Sequence, residues 1–201
     1  IRRKKQKMKN LPIVAQEITE KCIKEILLAH NIDLNDPNFI MTPRRASKAF
    51  SQFLRGYTQD EIVKVFRSSF PSKLQEMLII RAIPCYGLCP HHLLPVEMQV
   101  WIGCIPNGKV LGLSKFKRLV KIISQQPLLQ EEMTETIADI IMDNLKPKGV
   151  MVVIEGHHMC MCMRGIEHHD AKVTTSAVRG VFQEHNTKME LLSLIEKDLL
   201  R

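Results

Sequence analysis

Hydrophobic residues recur at three- and four-residue spacing along the first third of the chain, a pattern typical of amphipathic helices. Thr42 followed by Pro43 is typical of a helix start, with Thr42 as the N-cap. We therefore expect a helical portion over residues 11–74, preceded by a tail at 1–10. The expected helices lie at about residues 13–30, 44–56 and 59–66.

The pattern changes near residue 75, where short apolar or alternating runs bounded by Pro and Gly predict strands. A turn at Pro106–Lys109 predicts a hairpin between two of these runs. Two helices separate two hairpin-like strand pairs, and a last helix follows, so residues 75–201 are expected to form an α+β domain. The expected strands are 77–83, 96–105, 150–164 and 173–182, and the expected helices are 113–124, 131–145 and 187–200.

The net charge of +8 is concentrated at one end of the chain. Residues 1–10 hold six of the 29 basic side chains and no acidic one, so the remainder is close to neutral. A solvated tail is the simplest interpretation, although basic runs also steer proteins toward nucleic acid, anionic lipid or a targeting receptor. The near-neutral body and its 5% aromatic residues argue against a nucleic-acid-binding protein. No apolar run is long enough to span a membrane.

Two clusters contain the residue types that bind metal ions. Cys89 and His92 are three residues apart across a tight turn, so both can reach one ion. His158, Cys160 and Cys162 share one face if their segment is a strand. Three thiolate or imidazole ligands with one open position typify catalytic zinc. A structural site of four thiolates, or ordinary core cysteines and histidines, are the alternatives. The spacings of the six cysteines, with histidines between them, favour reduced thiols and a metal, and we expect a cytoplasmic location.

The segment 112–118 carries basic residues where a helix is expected to begin. Ser114 falls at the expected N-cap, and Lys115 and Arg118 fall in the first turn. Basic residues there are unfavourable with the helix dipole, but they suit an anion such as phosphate bound at the helix start. A solvated basic face is the alternative. Glu131 lies near the start of the next helix. Its position there is explained by the helix dipole alone, or by a ligand that donates N–H hydrogen bonds to its carboxylate.

Five motifs occur in an order and spacing that resemble one known family, GTP cyclohydrolase I. The motifs are TPRRASK at 42–48, CPHHLLP at 89–95, GLSKFKR at 112–118, QEEMT at 130–134 and HMCMCMRG at 158–165. Each motif alone is weak, whereas the five in order are highly specific. The resemblance covers roughly residues 10–195.

This resemblance implies a T-fold, in which an antiparallel sheet carries two helices on one face and follows an N-terminal helical portion. It implies a toroidal homodecamer, a dimer of pentamers, with active sites between subunits. It implies an enzyme that converts GTP and water to 7,8-dihydroneopterin triphosphate and formate, at the entry to tetrahydrofolate or tetrahydrobiopterin synthesis. A feedback regulatory protein is a candidate partner, whereas nucleic acid and membrane are not.

The motifs also imply which residues do the chemistry. By position, the family's metal ligands correspond to Cys89, His92 and Cys160. Its catalytic groups correspond to His91, His158 and Ser114. The resemblance implies a Zn2+ ion that activates a water for attack at C8 of guanine, with His158 as general acid–base group. His91 would assist, and Ser114 would act in the later ribose rearrangement. Cys162 lies where the family usually has another residue and is not expected to be a ligand.

The resemblance implies two sets of substrate contacts, a group of basic residues and the neighbouring Gln130 and Glu131. The residues that would hold the triphosphate are Lys115, Arg118 and Arg164, with Arg45 and Lys48 as additional candidates. Glu131, with Gln130, would recognise guanine, since a buried polar readout rejects an analogue that lacks the partner group.

Three departures from the family pattern concern residues next to these motifs. Pro90 follows the zinc cysteine where the family has Glu, which removes an N–H and a carboxylate. Gln125 and Gln126 occupy a stretch that is often arginine, and Glu132 replaces a common Arg. None of these removes a metal ligand, so we expect catalysis. The alternative is a divergent, weakly active paralogue that binds GTP or a pterin and serves as a regulatory subunit.

Overall fold

Within residues 11–55, two helices pack against each other to form the first of two compact units. They are α1 (Leu11–Ala29) and α2 (Thr42–Phe53). The structure is a computed structural model that describes residues 11–199, so the basic tail at 1–10 lies outside it. Met41 takes the N-cap position of α2, and the expected N-cap, Thr42, is already inside the helix.

The second unit begins at Gly56 and opens with α3 (Gln59–Phe66), whose bounds match the sequence prediction. A capping box starts this helix. The Glu61 N–H donates to the Thr58 hydroxyl oxygen, and the Thr58 N–H donates to the Glu61 carboxylate. The buried face of α3 joins the main core of the second unit. The change of pattern near residue 75 therefore marks the start of the long strands, and not the start of this compact unit.

Among the described residues, six strands form two antiparallel sheets. They are β1 (Ser69–Pro71), β2 (Leu78–Leu88), β3 (Pro95–Ile105), β4 (Lys109–Leu111), β5 (Gly149–His158) and β6 (Lys172–Gly180). Four pair in the order β2-β3-β5-β6, and β1 pairs with β4. The expected hairpin at Pro106–Lys109 is therefore wrong, because this turn leads into β4. β3 is already hydrogen-bonded to β2 and β5 on its two sides and offers no free edge to β4.

Two helices pack on one face of the four-stranded sheet. They are α4 (Leu113–Ser124) and α5 (Gln130–Leu145). Alternate residues of β3 from Val96 to Cys104 are buried in the main core with these helices, as the period of a strand requires. The predicted positions of both helices and the α+β class are confirmed. An antiparallel sheet with two helices on one face is the expected T-fold.

The end of the chain packs on the opposite face of the sheet. β5 is followed by a short helix, α6 (Met159–Cys162), and β6 by a 3-10 turn and α7 (His185–Leu199). The Trp101 indole N–H donates to the Asp198 carboxylate of α7 at 3.2 Å. The other buried residues of this second core are Met151, Val153, Phe182, Leu191 and Ile195. Within the described residues, none of the helices combines the length and apolar character that crossing a membrane needs.

The expected strand over 150–164 is wrong beyond His158, where β5 ends and α6 begins. His158 pairs with Val96 at the start of β3, so a longer β5 would run past its partner strand. The chain instead makes a helical turn, in which the Cys162 thiol donates to the His158 carbonyl oxygen at 3.1 Å. The single strand face predicted for His158, Cys160 and Cys162 therefore does not exist.

Candidate active site

The turn between β2 and β3 carries the first cluster of candidate ligands. The Cys89 N–H donates to the Leu94 carbonyl oxygen, and the Leu93 N–H donates to the Cys89 carbonyl oxygen, both at 2.9 Å. These bonds close the turn without an N–H at position 90, so proline is compatible there. Pro90 therefore leaves the turn intact.

Cys160 of α6 reaches this turn because β3 lies between β2 and β5. The end of β2, the start of β3 and the end of β5 are therefore side by side. One ligand atom from each of Cys89, His92 and Cys160 lies within 4.8 Å of the other two. Cys89 Sγ is 3.6 Å from His92 Nδ1 and 4.0 Å from His91 Nδ1. The structure thus brings the three predicted ligands together in a group that could hold a metal ion.

The surroundings of this group suit a soft divalent metal. Two sulfur ligands and one imidazole are a donor set that zinc accepts. Burial and a hydrogen bond with Cys89 raise the pKa of the Cys160 thiol, whereas the charge of Arg164 lowers it. Because a coordinating cysteine must lose its proton, metal binding here is coupled to proton release. Arg164 is itself exposed, on the segment that follows α6.

Two further cysteines stay out of this group. Cys85 is buried in the main core, where loss of hydration raises the pKa of its thiol to about 12. The Cys162 sulfur lies 3.0 Å from His157 Nε2 and donates to the backbone at His158. Within residues 11–199, the alternative of a four-thiolate structural site therefore finds no support.

His158 ends β5 and faces the start of α5. Its Nε2 lies 2.9 Å from the side-chain oxygen of Gln130, which is 4% exposed. Burial lowers the pKa of His158, and the Glu131 carboxylate acts in the opposite direction. From the sequence, Gln130 and Glu131 are both expected to contact guanine. In the structure the Gln130 side chain is engaged with His158 and the strands, whereas Glu131 is exposed.

The basic residues of the segment 112–118 lie at the start of α4. Gly112 holds the N-cap position, so Ser114 is the second helical residue and not the expected N-cap. Ser114 and Arg118 are exposed and Lys115 is half-buried, and no acidic residue lies in this first turn. The Lys115 N–H already donates to the Gly112 carbonyl oxygen, so it is the basic side chains and the positive end of the helix dipole that suit an anion here.

The axis of α4 separates this basic turn from the metal-ligand group. Ser124, at the far end of α4, lines a small cavity together with Gly87, Gln130 and His158. Gly87 is two residues from Cys89. The far end of α4 therefore lies at the end of the sheet that carries the metal-ligand group. Ser114 precedes Ser124 by about ten residues, roughly 15 Å along the helix axis. One chain therefore holds the two candidate sites at opposite ends of α4.

Two predicted residues and one unpredicted residue are still to be described. Arg45 and Lys48 are exposed on α2, in the first unit, and the structure does not bring them to the other predicted residues. Gly156 was not predicted, yet its lack of a side chain leaves room for Gln130 beside His158. No motif or spacing in the sequence marks Gly156 for this role, because the role depends on how α5 packs on β5.

The fold and the site define a T-fold protein with three possible metal ligands, an adjacent imidazole and a separate basic helix start, an arrangement compatible with metal-assisted hydrolysis. The family model described as GTP cyclohydrolase I matches residues 19–196. The chain belongs to the GTP cyclohydrolase I family.

Proteins named GTP cyclohydrolase 1 from three bacteria are similar to most of this chain. That of Campylobacter concisus (strain 13826) is 44% identical over 181 residues, 90% of this chain and 95% of the relative. That of Thermobifida fusca (strain YX) is 40% identical over 188 residues, 90% of this chain and 89% of the relative. That of Geobacillus sp. (strain WCH70) is 40% identical over 188 residues, 92% of this chain and all of the relative. The family and enzyme class expected from the motifs are confirmed.

Proposed function

We propose that this protein is a zinc-dependent enzyme that converts GTP and water to 7,8-dihydroneopterin triphosphate and formate. The observation that carries the proposal is the group of Cys89, His92 and Cys160, in a chain of the GTP cyclohydrolase I family. Two thiolates and one imidazole would hold zinc, one protein ligand fewer than a closed structural site has. The zinc would supply a water of lowered pKa.

Proton transfer is assigned to the histidines beside this group. His158 is half-buried between the metal end of β5 and α5, and histidine both accepts and donates protons near neutral pH. His91 is exposed on the same turn as Cys89 and is assigned the assisting role. Opening of the imidazole ring of guanine and release of formate each require a proton on the nitrogen that leaves C8, which these side chains can supply.

Two sets of residues are assigned to bind the substrate, one for guanine and one for the triphosphate. Glu131, exposed in the first turn of α5 next to Gln130, suits the N1–H and 2-amino groups of guanine, which together distinguish it from adenine. Ser114 is assigned to the later rearrangement of the ribose. The residues assigned to the triphosphate are Lys115, Arg118, Arg164, Arg45 and Lys48.

The separation of the two sites supports an active site shared between subunits, and the family resemblance assigns the assembly as a homodecamer, a dimer of pentamers. Since one chain holds the basic turn and the metal-ligand group at opposite ends of α4, a neighbouring copy would bring its basic turn to the metal-ligand group. The described four-stranded sheet has β2 and β6 as its outer strands, and a ring of subunits would pair these edges.

The cellular setting is also part of the proposal. All six cysteines are free, which accords with a reducing compartment such as the cytoplasm. The product would enter tetrahydrofolate or tetrahydrobiopterin synthesis, and a feedback regulatory protein is a candidate partner. Nucleic acid is not expected to bind specifically.

The test is turnover of GTP by the zinc-loaded protein, followed through the absorbance and fluorescence of the pterin product. Cys160→Ala is predicted to abolish the signal, because it removes a metal ligand. Cys22→Ala is the matched control, since Cys22 is exposed on α1. Absence of product from a folded, zinc-loaded protein would refute the proposal and favour the weakly active paralogue, with Pro90→Glu as the next variant.

A further inference from the structure

Gln130 carries a buried amide whose orientation is determined by its surroundings. Its Nε2 donates to the carbonyl oxygens of Val173 at 2.8 Å and Ile154 at 3.1 Å. The Thr175 hydroxyl lies 3.1 Å from the same nitrogen. Carbonyl oxygens only accept hydrogen bonds, so the NH2 group must face β5 and β6, and the side-chain oxygen must face away from them.

The side-chain oxygen of Gln130 consequently faces His158, 2.9 Å from its Nε2. An amide oxygen cannot donate, so Nε2 must carry the hydrogen of this contact. A neutral imidazole has one N–H, and its lone pair is then on Nδ1. Two backbone carbonyls thus determine, through one amide, which ring nitrogen of His158 can accept a proton.

Gly156 makes this contact possible. It lies two residues before His158 on β5 and is buried. A Cβ at position 156 would collide with the side-chain oxygen of Gln130 and would lie 3.3 Å from His158 Nε2. Because two strands hold the NH2 end of the amide, the oxygen cannot move aside without weakening those bonds. A larger residue at position 156 therefore distorts or breaks the hydrogen bond between Gln130 and His158.

We propose that Gln130 is a positioning residue that holds His158 as its Nε2–H tautomer and leaves Nδ1 to exchange protons with the substrate. Only the catalytic consequence rests on the proposed function; the tautomer itself does not. This role replaces direct contact between the Gln130 side chain and guanine, because its polar atoms are already engaged. Glu131, which is exposed, remains to read the base. The wrong tautomer would present an N–H where a lone pair is needed.

The tautomer can be measured by 15N solid-state NMR on the full, zinc-loaded protein labelled at histidine, without GTP, at about pH 8 where free histidine is neutral. The signals of His158 are identified by their loss in His158→Asn. The proposal predicts a protonated Nε2 in the wild type and a mixture of tautomers in Gln130→Met. A wild-type His158 protonated at Nδ1, or an unchanged tautomer in the variant, would overturn it.

Steady-state kinetics separate positioning from base recognition. Gln130→Met is predicted to lower kcat on the order of 100-fold, the scale of general acid–base catalysis, and to change the KM for GTP less than about threefold. Glu131→Gln is the comparison and should raise KM. A loss confined to KM in Gln130→Met would show that the side chain binds guanine and would contradict the proposal. If the wild type releases no formate, the proposed function fails, and the NMR measurement still decides the tautomer.

Gly156→Ala tests the same contact with Gln130 retained, so it serves if Gln130→Met does not fold. The added methyl group displaces the amide oxygen, and the same mixture of tautomers and the same fall in kcat are predicted. Ser176→Ala is the matched control, since Ser176 is exposed on the neighbouring strand β6 and should leave both readouts unchanged. A Gly156→Ala protein with the wild-type tautomer and kcat would refute the argument.

Discussion

Replacement of Pro90 by Ala tests how the metal-ligand group is built. The turn that carries Cys89 and His92 is closed by two backbone hydrogen bonds that make no use of residue 90. Pro90 therefore acts by restricting φ, which orders the turn before a metal binds. A proline at a compatible position lowers the free-energy cost of ordering the chain by about 0.4–1 kcal/mol. Pro90→Ala should then weaken zinc binding by a factor of about 2 to 5.

The assay is competition for zinc between the protein and a chromophoric chelator. Pro71→Ala, an exposed proline on β1, is the matched control and should bind zinc like the wild type. Equal or tighter binding by Pro90→Ala would refute the reasoning. Pro90→Glu adds a comparison: tighter binding than the wild type would show that a carboxylate at this position contributes more than the restricted turn.

Three further predictions concern the metal, the phosphate site and the second core. Cys160→Ala should lose stoichiometric zinc in metal analysis while its circular dichroism spectrum stays unchanged; retained zinc would contradict the ligand assignment. Arg118→Ala should raise the KM for GTP at least about tenfold in initial-rate kinetics, because a charged hydrogen bond is worth ~1.5–3 kcal/mol. Trp101→Phe should lower the free energy of unfolding by at least about 1.5 kcal/mol in urea, since the hydrogen bond to the Asp198 carboxylate is lost and the smaller ring leaves a gap in the second core. A free energy of unfolding equal to that of the wild type would show that Trp101 does not contribute in this way.

The helices of the second unit could be predicted because their signals are local. The apolar period and the capping box of α3 lie within a few residues of its ends, and its bounds match the prediction. The end of β5 could not be predicted this way. The segment after His158 alternates like a strand, but its partner strand begins at Pro95, and this register is a property of the sheet. The predicted hairpin at Pro106–Lys109 is wrong because it also depends on the sheet: β3 pairs with β2 and β5 and has no free edge.

The site shows the same division between local and tertiary information. Cys89 and His92 are neighbours in one turn, so their spacing was sufficient to pair them. Cys160 was linked to them by resemblance, and the strand face first used to group it with His158 does not exist. The contact between Gln130 and His158 required the packing of α5 on β5 and β6, which no motif encodes.

The central claim is that the group of Cys89, His92 and Cys160 holds the zinc on which release of formate from GTP depends. The most direct measurement is a titration of zinc into metal-stripped protein, with formate release from GTP as the readout. The rate should rise from near zero and saturate at one zinc per chain, and Cys160→Ala should stay inactive throughout. Formate release that is independent of zinc, or equal in Cys160→Ala, would contradict the account.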